Sequence, residues 1–287
     1  MSAPREEVAD FADLGVRAFT TTRAAGSYAW QSAEPAAAVF ARWESLRTEL
    51  RQAGAPRLAT AHQVHGTTVI EHVAGWSGWL RAPEADGHFS STRGTAMAVT
   101  IADCVPIFLV HPSGAAALLH SGWRGTAARI IEQGIAAFTR AGHSTRDLRA
   151  HLGPAICGRC YEVSPEVYAQ LTARTVDRPT PVDLRALIAS HAAAAGLHAL
   201  TISPLCTRCD NTMFYSHRAG DPARQLAVLA AVTSPPASAR PIRAVARSSL
   251  PLAPQGSGNR ESGIGGGRTT LVWPRSKGVM PPPIPDS

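Results

Sequence analysis

Two apolar runs on either side of a turn tripeptide constrain the fold of this chain more than any other feature. The runs are PIFLVH at 106–111 and AAALLH at 115–120, and PSG at 112–114 separates them. Short apolar runs joined by a segment that contains proline and glycine predict a β-hairpin. The chain is therefore expected to contain an antiparallel pair of strands with a fixed register.

The register of this hairpin brings Cys104 and His120 together. With PSG as the turn, His120 lies opposite Pro106, and Cys104 lies opposite Gly122 on the continuation of the two strands. The two side chains then emerge at the open end of the hairpin, one diagonal step apart and within reach of each other. The open end of a hairpin is where a site can be accessible to solvent.

The rest of the first 232 residues alternates strand-like runs with helical ones. The further predicted strands are GVRAFTTT, TTVIEHV and TAMAVTI, at 15–22, 67–73 and 95–101. Apolar spacing near 3.6 predicts helices at 126–142, 164–175 and 184–196. The order lacks the regular βαβ cadence of a doubly wound sheet, so we predict a mixed α/β (α+β) domain.

The last part of the chain differs in composition from the rest. From residue 234 onward it contains ten of the 22 prolines, together with seven basic residues and two acidic ones. This segment has no useful periodicity, and we predict a disordered, Pro/Gly/Arg-rich tail at 233–287. It carries +5 of the net charge of +7, which leaves about +2 for the remainder. That balance is ordinary for an enzyme and does not predict binding to nucleic acid, although a basic binding module in the tail is an alternative.

The sequence predicts a cytoplasmic protein. No apolar run approaches eighteen residues, so no membrane span is expected. The predicted extension at 1–14 is polar and acidic and does not resemble a secretory signal. In such a chain, five cysteines indicate reduced thiols or metal ligands rather than disulfides.

The surroundings of Cys104 and His120 favour a reactive site. A lone cysteine is usually a small buried hydrophobe, and the glycines of HSGWRG, which begins at His120, could simply make a tight connection. Glycines also allow close approach of a ligand, however, and Arg124 near a helix N-terminus suits an anion. His62 and His65 offer further donors. A cysteine with two histidines would give zinc three ligands and leave the fourth position for water, as in catalytic sites.

Six motifs that occur in order resemble one known family. They are HQVHG, ADG, ADCVP, HSGWRG, GPAICGRCYEV and CTRCDNTMFYSHRAG followed by ARQ. They resemble the laccase-domain family, first called multicopper polyphenol oxidases and later described as purine nucleoside phosphorylases with adenosine deaminase activity. The resemblance covers about residues 15–232. It implies a catalytic domain there, folded as a single layered α-β-β-α sandwich.

The resemblance also implies a cofactor and substrates. The family binds one zinc ion through three motif residues, which correspond here to His65, Cys104 and His120; His62 falls outside the motif. It implies phosphorolysis of purine nucleosides, with possible deamination of adenosine and phosphorolysis of methylthioadenosine. The partners would be nucleosides and phosphate, with no nucleic acid or membrane.

We assign candidate roles to three more residues. Asp86 in EADG is the candidate acid that moves protons during deamination, beside Cys104 and His120 as the other catalytic residues. Its alternative role is to cap the following turn. Arg23 and Arg124 are the candidates for binding phosphate, because guanidinium groups contact phosphate through paired hydrogen bonds.

Several alternatives remain open. Copper could bind the same three ligands, but the chain lacks the His-x-His pairs of a multicopper oxidase. A hydrolase, either metal-free with Cys104 as nucleophile and His120 as base or a zinc amidase that edits peptidoglycan precursors, would use the same residues. CGRC and CTRC could bind a second zinc, but the 45 residues between them exceed the usual spacing, which favours local packing.

Overall fold

The protein is described by a computed structural model over residues 3–233. The predicted tail, apart from residue 233, lies outside the described residues. The strands, in chain order, are β1 Arg5–Glu7, β2 Val16–Thr21, β3 Arg57–Ala61, β4 Val69–Glu71, β5 Gly78–Ala82, β6 Gly87–Ser90, β7 Thr95–Ile101, β8 Val105–Val110, β9 Ala116–Ser121, β10 Arg149–Leu152, β11 Glu162–Val163, β12 Thr180–Pro181, β13 Ala199–Ile202 and β14 Gln225–Ala231. The α-helices are α1 Ala36–Gln52, α2 Trp123–Ala127, α3 Ile130–Arg140, α4 Pro165–Thr172 and α5 Leu184–Ala194. Short 3-10 helices cover Ala9–Leu14, Arg23–Ala25, Thr145–Asp147 and His217–Ala219.

Two six-stranded sheets form the centre of the molecule. Sheet A has the order β1-β2-β14-β7-β3-β5, and sheet B has the order β13-β10-β8-β9-β6-β4. A separate small ribbon pairs β11 with β12. Residues 5–14, predicted as an extension, contribute β1 and a 3-10 helix, and β1 pairs with β2. The folded unit therefore begins before residue 15.

Three apolar clusters separate four layers. Side chains alternate along each strand, so Met97 of β7 points between the sheets while its neighbour Ala98 points toward α1. In β8, Phe108 faces the inter-sheet cluster and Ile107 faces the cluster beneath α3 and α5. α1 covers sheet A with buried residues that include Trp43. The α-β-β-α sandwich is therefore confirmed.

The predicted hairpin is present in the predicted register. β8 pairs antiparallel with β9, and Pro106 lies opposite His120. The helix predicted at 126–142 is wrong in one respect: it is divided into α2 and α3. Arg129 has a left-handed φ of 58°, which breaks the run, and α2 begins earlier, after Gly122. Within the described residues, the structure has no helix long and apolar enough to cross a membrane.

The chain crosses repeatedly between the sheets from β3 to β8. Odd-numbered β3, β5 and β7 belong to sheet A, and the even-numbered strands that follow them belong to sheet B. β3 is parallel to both β5 and β7, so the three strands end at the same edge of the sheet. The three segments that leave this edge, 62–68, 83–86 and 102–104, therefore lie side by side. β9 ends at the same edge, because it runs antiparallel to β8.

Candidate metal centre

Three potential metal ligands meet where these segments cross. His65, Cys104 and His120 each offer a donor atom, and these atoms lie within 4.8 Å of one another. The first two come from two crossing segments, and His120 lies near the end of β9. His65 is exposed, Cys104 is half-buried and His120 is 4% exposed. Two imidazoles and a thiolate with one side open to solvent form a donor set that fits a zinc ion with a free coordination position.

Asp86, from the third crossing segment, holds this group in place. Its fully buried carboxylate accepts a hydrogen bond from Nδ1 of His120 at 2.8 Å. It also accepts backbone N–H bonds from Val64 (3.2 Å), His65 (3.0 Å) and Gly66 (2.7 Å). The contact with Nδ1 leaves Nε2 of His120 for a metal, the usual arrangement of a carboxylate behind a ligating histidine. These four hydrogen bonds hold the Asp86 carboxylate in place, which favours a positioning role for this residue over the predicted role in proton transfer.

Gly122 gives the ligands the room they need. A Cβ atom at this position would lie 3.0 Å from Sγ of Cys104 and 3.2 Å from Cδ2 of His65. Both distances are tighter than side-chain packing normally allows. The close approach of these two ligands therefore favours glycine at position 122, although its extended backbone could be adopted by any residue.

The ligands also shift each other's protonation. Burial alone would raise the pKa of the Cys104 thiol, but the charge of His120 and hydrogen bonds from both histidines lower it to about 6. Burial would lower the pKa of His120, but the Cys104 thiolate and the Asp86 carboxylate raise it to about 9. The two groups therefore stabilise each other's charged forms, the thiolate of Cys104 and the imidazolium of His120. The thiolate is the form that binds a metal ion.

Asp103 connects the centre to the loops behind it. This residue has a left-handed φ of 80°, and its buried carboxylate accepts hydrogen bonds from Oγ1 of Thr207 (2.6 Å) and the N–H of Arg218 (2.7 Å). Its carbonyl oxygen accepts a hydrogen bond from the N–H of Ile156. Two connections, the one after β10 and the one between β13 and β14, are therefore attached to the residue that precedes Cys104.

A cavity of about 440 Å³ opens above the three ligands, within the range typical of small-molecule sites. The residues that line it include two arginines and two tryptophans, Arg81, Arg224, Trp30 and Trp43. No aspartate or glutamate of the described residues lines it. Arg81 pairs with no carboxylate in the part of the chain that the structure describes. The cavity therefore suits an anion together with a flat aromatic group.

Neither of the arginines selected from the sequence lines this cavity. Arg23 donates to Oδ2 of Asp221 at 2.7 Å and to the carbonyl oxygen of Phe214 at 3.1 Å, and its guanidinium lies over the ring of Tyr215. Arg23 thus stabilises the loop at 214–221, which leads to Arg224 on the cavity wall. Arg124 is exposed and lies over the ring of Trp123.

The three proposed metal ligands line the cavity as well, but its arginines and tryptophans were not selected from the sequence. Arg224 belongs to the ARQ end of the last quoted motif, and His217 belongs to YSHRAG, so the motif itself carried a signal for both. Arg81 and Trp30 belong to no motif. They reach the cavity from β5 and from the segment before α1.

The family model described as multi-copper polyphenol oxidoreductase laccase matches residues 18–231. A purine nucleoside phosphorylase of Mycobacterium tuberculosis is 33% identical over 231 residues, which cover 75% of this chain and 91% of that protein. An adenosine deaminase from an unknown prokaryotic organism is 36% identical over 147 residues, 46% of this chain and 56% of that protein. The crystal structure of YlmD from Geobacillus stearothermophilus has a TM-score of 0.72 at 25% identity, and the match covers 80% of this chain and 97% of that one.

Proposed function

Because this chain belongs to the multi-copper polyphenol oxidoreductase laccase family, we propose that it is a zinc-dependent purine nucleoside phosphorylase. The observation that carries the proposal is the cavity. It combines three ligands of the kind that bind zinc, at its base, with two arginines and aromatic rings on its wall, and no carboxylate from residues 3–233 lines it. The name of the M. tuberculosis relative supports the same reaction.

In phosphorolysis, a phosphate oxygen forms a bond to C1′ of the ribose, and the bond from C1′ to the purine N9 breaks. The purine leaves with the electron pair. Arg81 and Arg224 would bind and orient the phosphate, since guanidinium groups suit this anion. Trp30, which is 43% exposed and stacks on Trp43, offers a ring face for the purine.

The metal centre would be held by the chain's own residues. When bound by His65, Cys104 and His120, zinc supplies a Lewis acid next to the substrate. Asp86 keeps the ring of His120 in the tautomer that offers Nε2. The same three residues would bind copper if copper were supplied, but they do not provide the many imidazoles of a multicopper oxidase.

The test is a chromatographic assay with adenosine, inosine, guanosine and methylthioadenosine, each with and without phosphate. We expect the free base and ribose 1-phosphate, or methylthioribose 1-phosphate, only when phosphate is present. The Cys104→Ala variant is the blank and should form no product. Inosine formed from adenosine without phosphate would instead indicate a deaminase, the activity named for the second relative.

A lack of both activities in protein that contains its zinc would contradict the proposal. Amide substrates of the peptidoglycan type would then be the next to assay. A hydrolase that uses Cys104 as a nucleophile would retain activity after zinc is removed, whereas the proposed enzyme would lose it.

A further inference from the structure

The two Cys-x-x-Cys turns meet in space, contrary to the interpretation that their separation favours local packing. Cys157 and Cys160 lie in the loop after β10, and Cys206 and Cys209 lie in the loop after β13. β10 and β13 are parallel neighbours, so both loops leave the same edge of sheet B. The 45 residues between the turns form α4, α5 and the strand that returns alongside β10.

The four sulfur atoms have the spacing of a tetrahedral thiolate site. All four Sγ atoms lie within 4.8 Å of one another, and those of Cys160 and Cys209 are 3.5 Å apart. Zinc–sulfur bonds of about 2.3 Å in a tetrahedron separate the sulfurs by about 3.8 Å. All five cysteines of the chain are free thiols in the structure. The arrangement needs only a small contraction around an ion.

Backbone amides from both turns point at the first sulfur of the second turn. Sγ of Cys206 accepts hydrogen bonds from the N–H groups of Cys157 (3.2 Å) and Cys209 (3.4 Å). Amide donors directed at sulfur stabilise thiolates, the form that metals bind.

The two turns also match in sequence and charge. Each has an exposed arginine immediately before its second cysteine, Arg159 in CGRC and Arg208 in CTRC. Zinc bound by four thiolates carries a net charge of −2, and two arginines offset that charge. Gly158 allows the first turn to pack closely, since a Cβ atom there would lie 2.9 Å from Cβ of Asp183.

We propose that Cys157, Cys160, Cys206 and Cys209 bind a structural zinc ion, separate from the centre at His65, Cys104 and His120. Four protein ligands leave no open position for substrate, so the site would stabilise structure rather than catalyse. The proposal does not depend on the proposed function.

The position of this site indicates what it stabilises. Ile156 precedes the first turn, and Thr207 lies within the second. Both hydrogen-bond to Asp103, the neighbour of Cys104. An ion that joins the two turns would therefore fix the loops on which the first metal centre rests.

The first experiment measures zinc and iron per chain by elemental mass spectrometry in tag-free protein dialysed with zinc. We expect two zinc ions in the wild type, one in Cys104→Ala, one in the double variant Cys160→Ser/Cys209→Ser, and none in the variant with all three changes. An unchanged zinc content in the double variant would overturn the proposal, as would iron in place of zinc.

Two further measurements keep the test decisive if the double variant fails to fold. Thiol titration of wild-type protein, unfolded with chelator and without reductant, should find five free thiols; three or fewer would show disulfides and overturn the proposal. Cobalt added to the metal-free Cys104→Ala variant should give strong thiolate-to-cobalt charge-transfer absorption in a tetrahedral pattern. Absence of that absorption would contradict a four-cysteine site.

Discussion

Nδ1 of His120 lies 2.8 Å from Oδ1 of Asp86, and the backbone N–H of His120 lies 2.7 Å from the carbonyl oxygen of the same aspartate. One residue thus fixes both the backbone and the ring of a proposed metal ligand. The same carboxylate accepts the amides of residues 64–66, which carry the ligand His65. The geometry of two ligands therefore depends on one buried side chain.

Replacement of Asp86 by asparagine should weaken zinc binding by about 10- to 100-fold while the protein remains folded. The amide has the same size but cannot accept all four hydrogen bonds. Zinc affinity measured by competition with a chromophoric chelator checks this, with Asp13→Asn at an exposed position as the control. Unchanged zinc affinity with a large loss of turnover would instead support proton transfer by Asp86.

The Arg224→Ala variant should raise KM for phosphate by tenfold or more and change KM for the nucleoside much less. The reason is the loss of one of the two guanidinium groups on the cavity wall. Initial rates at varied phosphate and fixed nucleoside measure the effect. Arg140→Ala, an exposed arginine at the end of α3, is the matched control and should leave both constants unchanged. An equal rise in both KM values would argue against phosphate at this position.

Gly122→Ala should lower zinc occupancy of the first centre with little change in fold. The added methyl would lie 3.0 Å from the Cys104 sulfur, so the ligand has to move. Elemental analysis and circular dichroism of the same sample measure the two effects. Ala128→Ser, at the exposed end of α2, is a control of similar size and should keep the wild-type zinc content.

The ion pair of Arg23 and Asp221 should make stability depend on pH in the acid range. Burial would raise the pKa of Asp221, but hydrogen bonds from Arg23, the Ser216 amide and Asn211, with the charge of Arg23, lower it to about 2. A carboxyl with a lowered pKa stabilises the folded state above its unfolded pKa, about 3.8, and this contribution is lost as pH falls toward 2.

Asp221→Asn should therefore be less stable than the wild type near neutral pH, by at most about 2 kcal/mol. Urea unfolding of both proteins at intervals from pH 7 to 3 should show that the difference shrinks below about pH 4. A difference that stays constant over this range would mean that the charge of Asp221 contributes nothing.

The sequence allowed the pairing of Cys104 with His120 to be predicted because a hairpin register is local. It depends only on where the turn lies, and β8 and β9 pair as expected. His65 could be assigned only through its motif, since three further crossings between the sheets separate its segment from that of Cys104 in the chain. The four-cysteine cluster was considered but disfavoured for a related reason. Its turns follow two strands that are neighbours only after α4 and α5 have folded.

α1 was not predicted, although the sequence carries a local signal for it: the buried residues Val39, Trp43, Leu46 and Leu50 have the spacing of one helix face after Pro35. Two other features lacked such a signal. Arg129 interrupts a run that is helical by apolar spacing, because its left-handed backbone redirects the chain between α2 and α3. Arg81 lies on β5 with no motif around it, and only the fold brings it to the cavity.

Because the chain alternates between sheets A and B, insertions should be tolerated at one edge of the sheets and not at the other. The segments that lead from sheet A to sheet B lie at the edge that holds the ligands. Two of these segments, 83–86 and 102–104, are very short. The returns at 72–77 and 91–94 leave the opposite edge, where Val73 is 67% exposed. An inserted peptide or new chain termini at 73–75, before Trp76 packs against the inter-sheet cluster, should therefore be accepted, whereas even one added residue at 102–104 would displace a ligand.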